Sequence, residues 1–425
     1  MAERSEAAED QAVRDASAAY SVETDIATTE DVPPGYKRTE AGVLPSEWEV
    51  SSVGEEFTLQ LGKMLDSAKN TGDPKPYIGN RAVQWGRVDL EEVSSVRMKR
   101  SELKRYRVDK GDLLVCEGGE IGRSAIWNAP IPECYYQKAL HRLRPKRGYS
   151  PFLVMSFLNL WASSGMLANF VTQTSIAHLP KDKLELVPLP VPTPDEQRAI
   201  ATALSDADAL IESLDRLIAK KRAIKKAAMQ QLLTGQTRLP GFTGEWETKR
   251  LGELLTVRYG RNQSEIEKYD GRYPILATGG EIGRTDTPLY ERPSVLIGRK
   301  GTIDEPRFMD SPFWTVDTLF YTEINETANP KFIFYIFQRI PWRDYNEASG
   351  VPSLNGKTIE AIQVSVPNLK EQTAIATVLS DMDTEIEGLE RRRDKARQIK
   401  QGMMQQLLTG RVRLVAPQTM EPAAC

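Results

Sequence analysis

Residues 195–239 read DEQRAIATALSDADALIESLDRLIAKKRAIKKAAMQQLLTGQTRL, and residues 370–414 read KEQTAIATVLSDMDTEIEGLERRRDKARQIKQGMMQQLLTGRVRL. The offset is 175 throughout, without a gap, and 27 of the 45 positions are identical. A repeat of this length marks a duplicated structural unit. Both copies predict long helices. Thr193 and Asn368 stand as N-caps, with Glu196 and Glu371 three residues on as the second half of a capping box. Pro194 takes the first helical position, where a missing N–H costs nothing. Gly235 and Gly410 follow Leu-Leu-Thr and suit a left-handed C-cap. Roughly 40 residues at about 1.5 Å each give rods of about 60 Å.

The apolar spacing along each rod is 4-3-4-3. Ile200, Leu204, Ala207, Ile211 and Leu214 mark it in the first copy, and Ile375, Leu379, Met382, Ile386 and Leu389 in the second. This is a heptad seam. It falters at Lys221 and Arg393 and is predicted to resume in shifted phase at Ile224, Ala228, Leu232 and at Ile399, Met403, Leu407. The simplest arrangement pairs the rods with each other, antiparallel if a two-fold axis relates the halves. The competing arrangement, two independent surface helices, leaves both seams wet. Leu232, Leu233, Leu407 and Leu408 are expected in the core.

Working outward, each rod follows a globular segment. Trp48, Gly54, Glu55 and Gly62 match Trp246, Gly252, Glu253 and Gly260 at a constant offset of 198. Leu179, Leu184, Val191 and Pro192 correspond to Leu354, Ile359, Val366 and Pro367 at offset 175. The two globules therefore share beginnings and ends and differ inside. Short apolar runs such as Asp112–Val115, Val295–Ile297 and Phe332–Phe337, broken by Gly and Pro turns, predict small mixed α+β domains. The string GGEIGR occurs at 118–123 and 279–284. It reads as a reused turn and not a phosphate loop, because it lacks the lysine of such a loop. The segmentation is 1–32, an acidic extension expected to be disordered; 33–191, a lead-in and the first globule; 192–239, the first long helix; 240–367, the second globule; 368–414, the second long helix; and 415–425, a tail expected to be disordered. The lead-in from Pro33 to Trp48 is expected to be ordered and to pack on the second rod.

Composition narrows the function. The chain has 425 residues, 40% of them apolar and 27% charged, and no apolar run long enough for a membrane span. Three scattered cysteines (Cys116, Cys134, Cys425) make neither a disulfide framework nor a zinc site, so a reducing cytoplasm is expected. Two histidines, His141 and His178, argue against a histidine cluster. The net charge of −3 conceals an acidic start: residues 1–46 hold 10 acids and 4 bases, −6, which leaves +3 for the rest. No metal site is expected. Asp206 and Asp208, like Asp381 and Asp383, sit two residues apart and point to different helix faces.

The order globule, rod, globule, rod resembles the specificity subunit of Type I restriction–modification systems. The residues that carry the resemblance are Pro192-Thr-Pro-Asp-Glu-Gln-Arg-Ala-Ile200, Pro367-Asn-Leu-Lys-Glu-Gln-Thr-Ala-Ile375 and the two Gln-Gln-Leu-Leu-Thr-Gly ends. Also similar are Gly111-Asp-Leu-Leu with Gly118 to Gly122, Val295-Leu-Ile-Gly-Arg-Lys-Gly301, and the Tyr36-Lys-Arg-Thr-Glu to Leu44-Pro-Ser-Glu-Trp48 lead-in. The resemblance implies two target recognition domains, each reading one half of a bipartite double-stranded DNA sequence. It implies a helical spacer, two methyltransferase subunits docked on one specificity subunit, and restriction subunits in the full complex. The chain itself would be non-catalytic and hold no cofactor. S-adenosylmethionine would belong to the methyltransferase, which typically acts on adenine N6, and ATP and Mg to the restriction subunit. The acidic extension has no counterpart in that pattern. Half-sites on one face of B-DNA lie about 34–36 Å apart, a separation that rods of about 60 Å can span.

Basic residues are the candidate DNA contacts, since Lys and Arg neutralise phosphates and Arg can read guanine with a bidentate fork. In the first globule these are Lys99, Arg100, Lys104, Arg105 and Arg107, then Arg142, Arg144 and Lys146, the pair 142 and 144 alternating as on one strand face. In the second they are Arg258, Arg261, Arg284, Arg299 and Lys300. Gln173, Thr174, Ser175 and Ser349, Ser353, Asn355 are candidate polar contacts on a loop shared at offset 175, with helix capping the competing role. A self-contained methyltransferase is disfavoured: no [DN]PP[YFW] tetrapeptide occurs. A coiled-coil DNA-binding scaffold or repressor acting without a methyltransferase is the alternative function.

Overall fold

The computed structural model describes residues 32–66, 70–173 and 177–415. The predicted acidic extension and tail lie, but for their innermost residues, outside them. The chain forms two compact units: one from residues up to Ala209 with those from Arg397 onward, the other Leu210–Ala396. Each holds one globule and parts of both long helices, Pro194–Leu232 and Leu369–Leu407. No helix among the described residues is long and apolar enough to cross a membrane.

Both globules are mixed α/β and share a frame. In the first, strands run in the order Phe57–Leu61, Leu140–Pro145, Leu113–Cys116, Ser124–Ile126, all antiparallel. In the second the order is Leu255–Tyr259, Leu319–Ile324, Ser294–Gly298, Arg307–Met309, again antiparallel. In each sheet one central strand, Leu113–Cys116 or Ser294–Gly298, is fully buried, in keeping with its Leu, Val and Ile content. One helix packs on each sheet. Pro151–Ser164 is capped by Ser150 and ends at a left-handed Gly165, and Pro330–Arg339 is capped by Asn329. The apolar run Phe332–Phe337 is thus helical. A second four-stranded sheet in each globule has a different membership, and there the interiors diverge. The string GGEIGR shows the divergence. Residues 118–123 form a loop with Gly119 and Gly122 at positive φ, while Gly280–Thr285 is a strand. The shared turn expected from sequence is corrected: neighbours, not the six residues, decide the conformation.

The long helices start and stop where their caps predict. Thr193 and Asn368 accept from the Glu196 and Glu371 amides at 3.4 and 3.1 Å. Gly235 and Gly410 are left-handed, with φ +70° and +66°. The glutamates, however, do not serve only as the back half of a capping box. In the first unit Glu196, 3% exposed, accepts from Trp48 Nε1 at 3.0 Å and from the Arg413 guanidinium, which lies over the Trp48 ring. In the second unit Glu371 is fully buried, and both its oxygens take Arg238, at 2.5 and 2.6 Å, with Arg238 over Trp246. The adjacent glutamines do parallel work. Gln197 donates to Pro192 O at 3.0 Å and accepts from Ser150 N; Gln372 donates to Pro367 O at 2.9 Å and accepts from Asn329 N. The repeated Glu-Gln pair therefore ties a long helix to its globule's helix and to the end of the other long helix. The lead-in packs on that end as expected: Tyr36 Oη donates to Gly410 O at 2.8 Å.

The seam keeps its phase, against expectation. Positions 200, 204, 207, 211, 214, 218, 221, 225, 228 and 232 are all buried or half-buried, as are 375, 379, 382, 386, 389, 393, 396, 400, 403 and 407. Ile224 and Ile399, the proposed restart, are 44% and 52% exposed. Lys221, Lys225, Arg393 and Lys400 occupy seam positions because each finds a carboxylate. In the second unit Lys221 pairs with Glu385, Lys225 with Asp383 and Arg393 with Asp215. In the first unit Lys400 pairs with Asp208. For these three seam pairs, 215–393, 221–385 and 225–383, the partner number falls as the residue number rises. The expected core leucines Leu232, Leu233, Leu407 and Leu408 are all buried.

Lys400→Asp should lower the melting temperature, as should Asp208→Lys, by setting like charges together. The double variant, which restores the pair in reverse, should recover most of the loss; thermal unfolding of the three variants checks it. Additive losses would show that the contact contributes nothing to the pairing.

Candidate nucleic-acid interface

Each globule presents a loop where its first central strand ends. In the first, Leu113–Cys116 runs into Glu117–Arg123. Glu117 N donates to Ala139 O at 2.9 Å, and Leu179 N donates to Glu117 O at 2.7 Å. Gly118 bridges His178 on the returning chain. In the second, Arg299 N donates to Thr318 O at 2.8 Å, Leu354 N to Arg299 O at 2.9 Å, and Lys300 bridges Ser353. The shared returning segment expected at offset 175 is therefore present at His178 and Ser353. Gln173 lies in the strand Thr172–Gln173, which pairs with Ala177–His178. Thr174 and Ser175 fall outside the described residues.

A glycine marks the same end of each globule. A Cβ on Gly62 would stand 2.3 Å from Gln137 O, and one on Gly260 2.1 Å from Val316 O, so neither position admits a side chain. The following residues, Lys63 and Arg261, take different roles. Lys63 is buried and its Nζ lies 2.6 Å from Glu102, pinning the helix Arg100–Tyr106 near the loop. Arg261 is exposed, and its backbone is held on both sides: its N donates to Thr315 O and its O accepts from Trp314 Nε1, both at 2.8 Å.

The basic candidates separate on burial and partners. Lys99, Arg100, Lys104, Arg105 and Arg107 are exposed on and around the short helix Arg100–Tyr106. Arg107 is held 3.2 Å from Asp109, and Arg105 lies over the Tyr106 ring. Arg142 is a correction. It does sit on the strand Leu140–Pro145 with Arg144, but it is only 5% exposed. Its guanidinium donates to Arg105 O, Arg107 O and Gln60 Oε1 and lies over Tyr136. It is a buried fastener for the basic helix, with no face left for a ligand. Arg144 is half-exposed and bound to Asp109 and Asp112; the Asp112 hydrogen bonds push its pKa further up. Lys146 is exposed and donates to Gly54 O. His141 is fully buried, and that burial pushes its pKa down; its Nε2 lies 2.9 Å from Leu179 O.

In the second globule Arg258 is exposed but pairs with Glu323 at 2.9 Å. Arg284 is half-buried and engaged on three sides, by Gly271 O, Arg272 O and Glu281. Asn355 caps the helix Gly356–Ala361, accepting from Lys357 N at 3.0 Å, so the capping role weighed for it is the one observed. Arg299, Lys300, Ser349 and Ser353 remain together on the loops. Sequence reading missed Tyr259, 53% exposed beneath Arg299, and the loop pair Asn80 and Arg123, joined through Asn80 O at 3.2 Å. Tyr259 was findable, since it immediately precedes the matched Gly260.

Arg142→Ala should cost about 3 kcal/mol of stability, because it strips buried acceptors of their donor. Lys104→Ala should stay within about 0.5 kcal/mol, as an exposed change. Urea unfolding of the two variants separates the fastener from the surface charge.

A family model for the Type I restriction modification DNA specificity domain matches residues 45–220 and 243–397. The putative type I restriction enzyme MjaX specificity subunit of Methanocaldococcus jannaschii is 25% identical, over 89% of this chain and 97% of its own length. The MjaVIII specificity subunit of the same organism is 23% identical, over 87% and 94%. The crystal structure of a Type-I restriction-modification system S subunit from M. genitalium superposes with a TM-score of 0.60, at 18% identity, over 85% of this chain and 96% of that one. With the duplicated frame and two matched domains in hand, the chain belongs to the Type I restriction modification DNA specificity family, as a specificity subunit.

Proposed function

We propose that each globule reads one half of a bipartite double-stranded DNA sequence through the loop that ends its first central strand. The observation that carries this reading is the loop itself. The same backbone bonds hold it in both globules, yet its side chains differ: Glu117 and Gly118 in one, Arg299 and Lys300 in the other. A constant frame with variable tips suits reading two unlike half-sites. The exposed bases Lys99, Arg100, Lys104 and Arg105 supply phosphate contacts, which position the protein without specifying sequence.

The two long helices then act as an antiparallel coiled coil that spaces the half-sites. The ion pairs within each unit support this, since Lys225–Asp383 and Lys400–Asp208 are the same contact moved by 175 residues. The chain docks two methyltransferase subunits, with restriction subunits in the full complex, and works with them on DNA in the cytoplasm. It performs no catalysis and holds no cofactor. S-adenosylmethionine binds the methyltransferase, and ATP and Mg the restriction subunit.

Long-read mapping of methylated bases, in cells with and without this gene, tests the proposal. A split motif with a fixed gap, lost on deletion, is the expected result; an unchanged pattern would sink it. Replacing residues 47–190 with another such globule should alter one half of the motif only. In the complex with methyltransferase, changing Lys99, Arg100 and Lys104 together to Ala should lower the salt dependence of DNA binding. If each meets one phosphate, the slope of log K against log salt should fall by about 2 to 3.

A further inference from the structure

We propose that Arg299 is a specificity-determining residue of the second globule and reads a guanine in its half-site. The inference rests on the reading of each globule as a half-site reader. Arg299 and Glu117 occupy the same backbone position. Cys116 pairs with Leu140 as Gly298 pairs with Leu319, and the next residue in each case bonds the same two neighbouring segments. At that shared position the charge is opposite, so the two globules present opposite chemistry to whatever they meet.

Arg299 is held as a reader needs to be. Its guanidinium lies 5.3 Å from the centre of the Tyr259 ring, and that ring packs edge-on against Phe320 at 4.9 Å. Nη1 donates to Asp317 O at 3.1 Å, with the Asp317 carboxylate 3.5 Å away. The side chain is 29% exposed, beside an exposed Lys300 and Val351. The ring and the aspartate fix the plane of the fork and leave its other N–H groups for a ligand. Guanine offers two acceptors, O6 and N7, on one edge of the major groove, and a planar bidentate donor matches them. A phosphate contact would require charge but no fixed plane. The first globule lacks this arrangement: Leu61 stands where Tyr259 does, and Glu117 is acceptor-only when ionised.

The test uses the full chain in complex with its methyltransferase, bound to duplexes carrying each of the four bases at every position of the second half-site. Arg299→Lys keeps the charge and removes the fork. The expected result is that one guanine position loses its preference by roughly tenfold or more while the rest of the motif is kept. Arg299→Gln, read in the same way, covers the case in which the lysine variant does not assemble. Glu117→Gln should shift preference in the first half alone. An unchanged base preference with uniformly weaker binding would assign Arg299 to a phosphate and overturn the inference. So would a second half-site without a specified guanine. A wild-type complex that shows no split motif at all would instead overturn the half-site reading beneath it.

Discussion

A buried carboxylate at the start of each long helix is the constraint on which the rest of each unit depends. Glu196 and Glu371 are almost wholly shielded from water, and a carboxylate in that state is tolerable only when paired. The partner is an arginine from the far end of the other repeat: Arg413, which meets one oxygen of Glu196, and Arg238, whose fork takes both oxygens of Glu371. The arginine in turn rests on the tryptophan that opens the globule. Three segments distant in sequence are thereby fixed at one point: helix start, helix end and first strand. The neighbouring glutamines extend the junction to the N-cap of the globule's helix. This explains why the repeat keeps Glu-Gln at one end and Leu-Leu-Thr-Gly-x-x-Arg at the other, while its middle drifts.

The middle drifts within limits set by the seam. Lysine or arginine at a seam position weakens an apolar interface but fixes register when a carboxylate is placed to meet it. Asp208 and Asp383, each two residues after another aspartate, looked superficially like metal ligands; they are the partners of Lys400 and Lys225. At Lys221 the seam changes residue type and not course. Apolarity alone would put Ile224 on the seam and the lysines on either side of it in solvent. Burial shows the reverse: the lysines face inward and the isoleucine is out.

The frame was therefore legible in the sequence, and the candidate interface largely was not. Helix bounds, caps, the two-globule order and the common beginnings and ends all follow from patterns that local physics enforces. Side-chain roles inside a globule depend on contacts far apart in sequence. Arg142 and Arg144 differ by two residues and share a strand face, yet one is a buried fastener and the other a half-exposed ion pair. Nothing local distinguishes them: both donate to Arg107 O, but Arg142 is also covered by Arg105 O and Gln60, while Arg144 reaches out to Asp109 and Asp112. The identical GGEIGR strings make the same case from the opposite side: one sequence, two conformations, decided by the strands around it.

The two junctions are not equal, and the difference follows from how each arginine divides its donors. Arg238 gives one N–H group to each oxygen of Glu371, and Trp246 meets neither; that indole N–H is buried without an acceptor among the described residues. Arg413 instead divides its donors between Glu196 and Glu47, and the freed oxygen of Glu196 takes Trp48. The first junction thus gives its tryptophan N–H an acceptor, with Glu47 of the lead-in sharing the arginine, while the second leaves a buried indole N–H without one. The lead-in is accordingly part of the frame and not an appendage. It completes, around the end of the second long helix, what the chain beyond Gly235 provides around the end of the first.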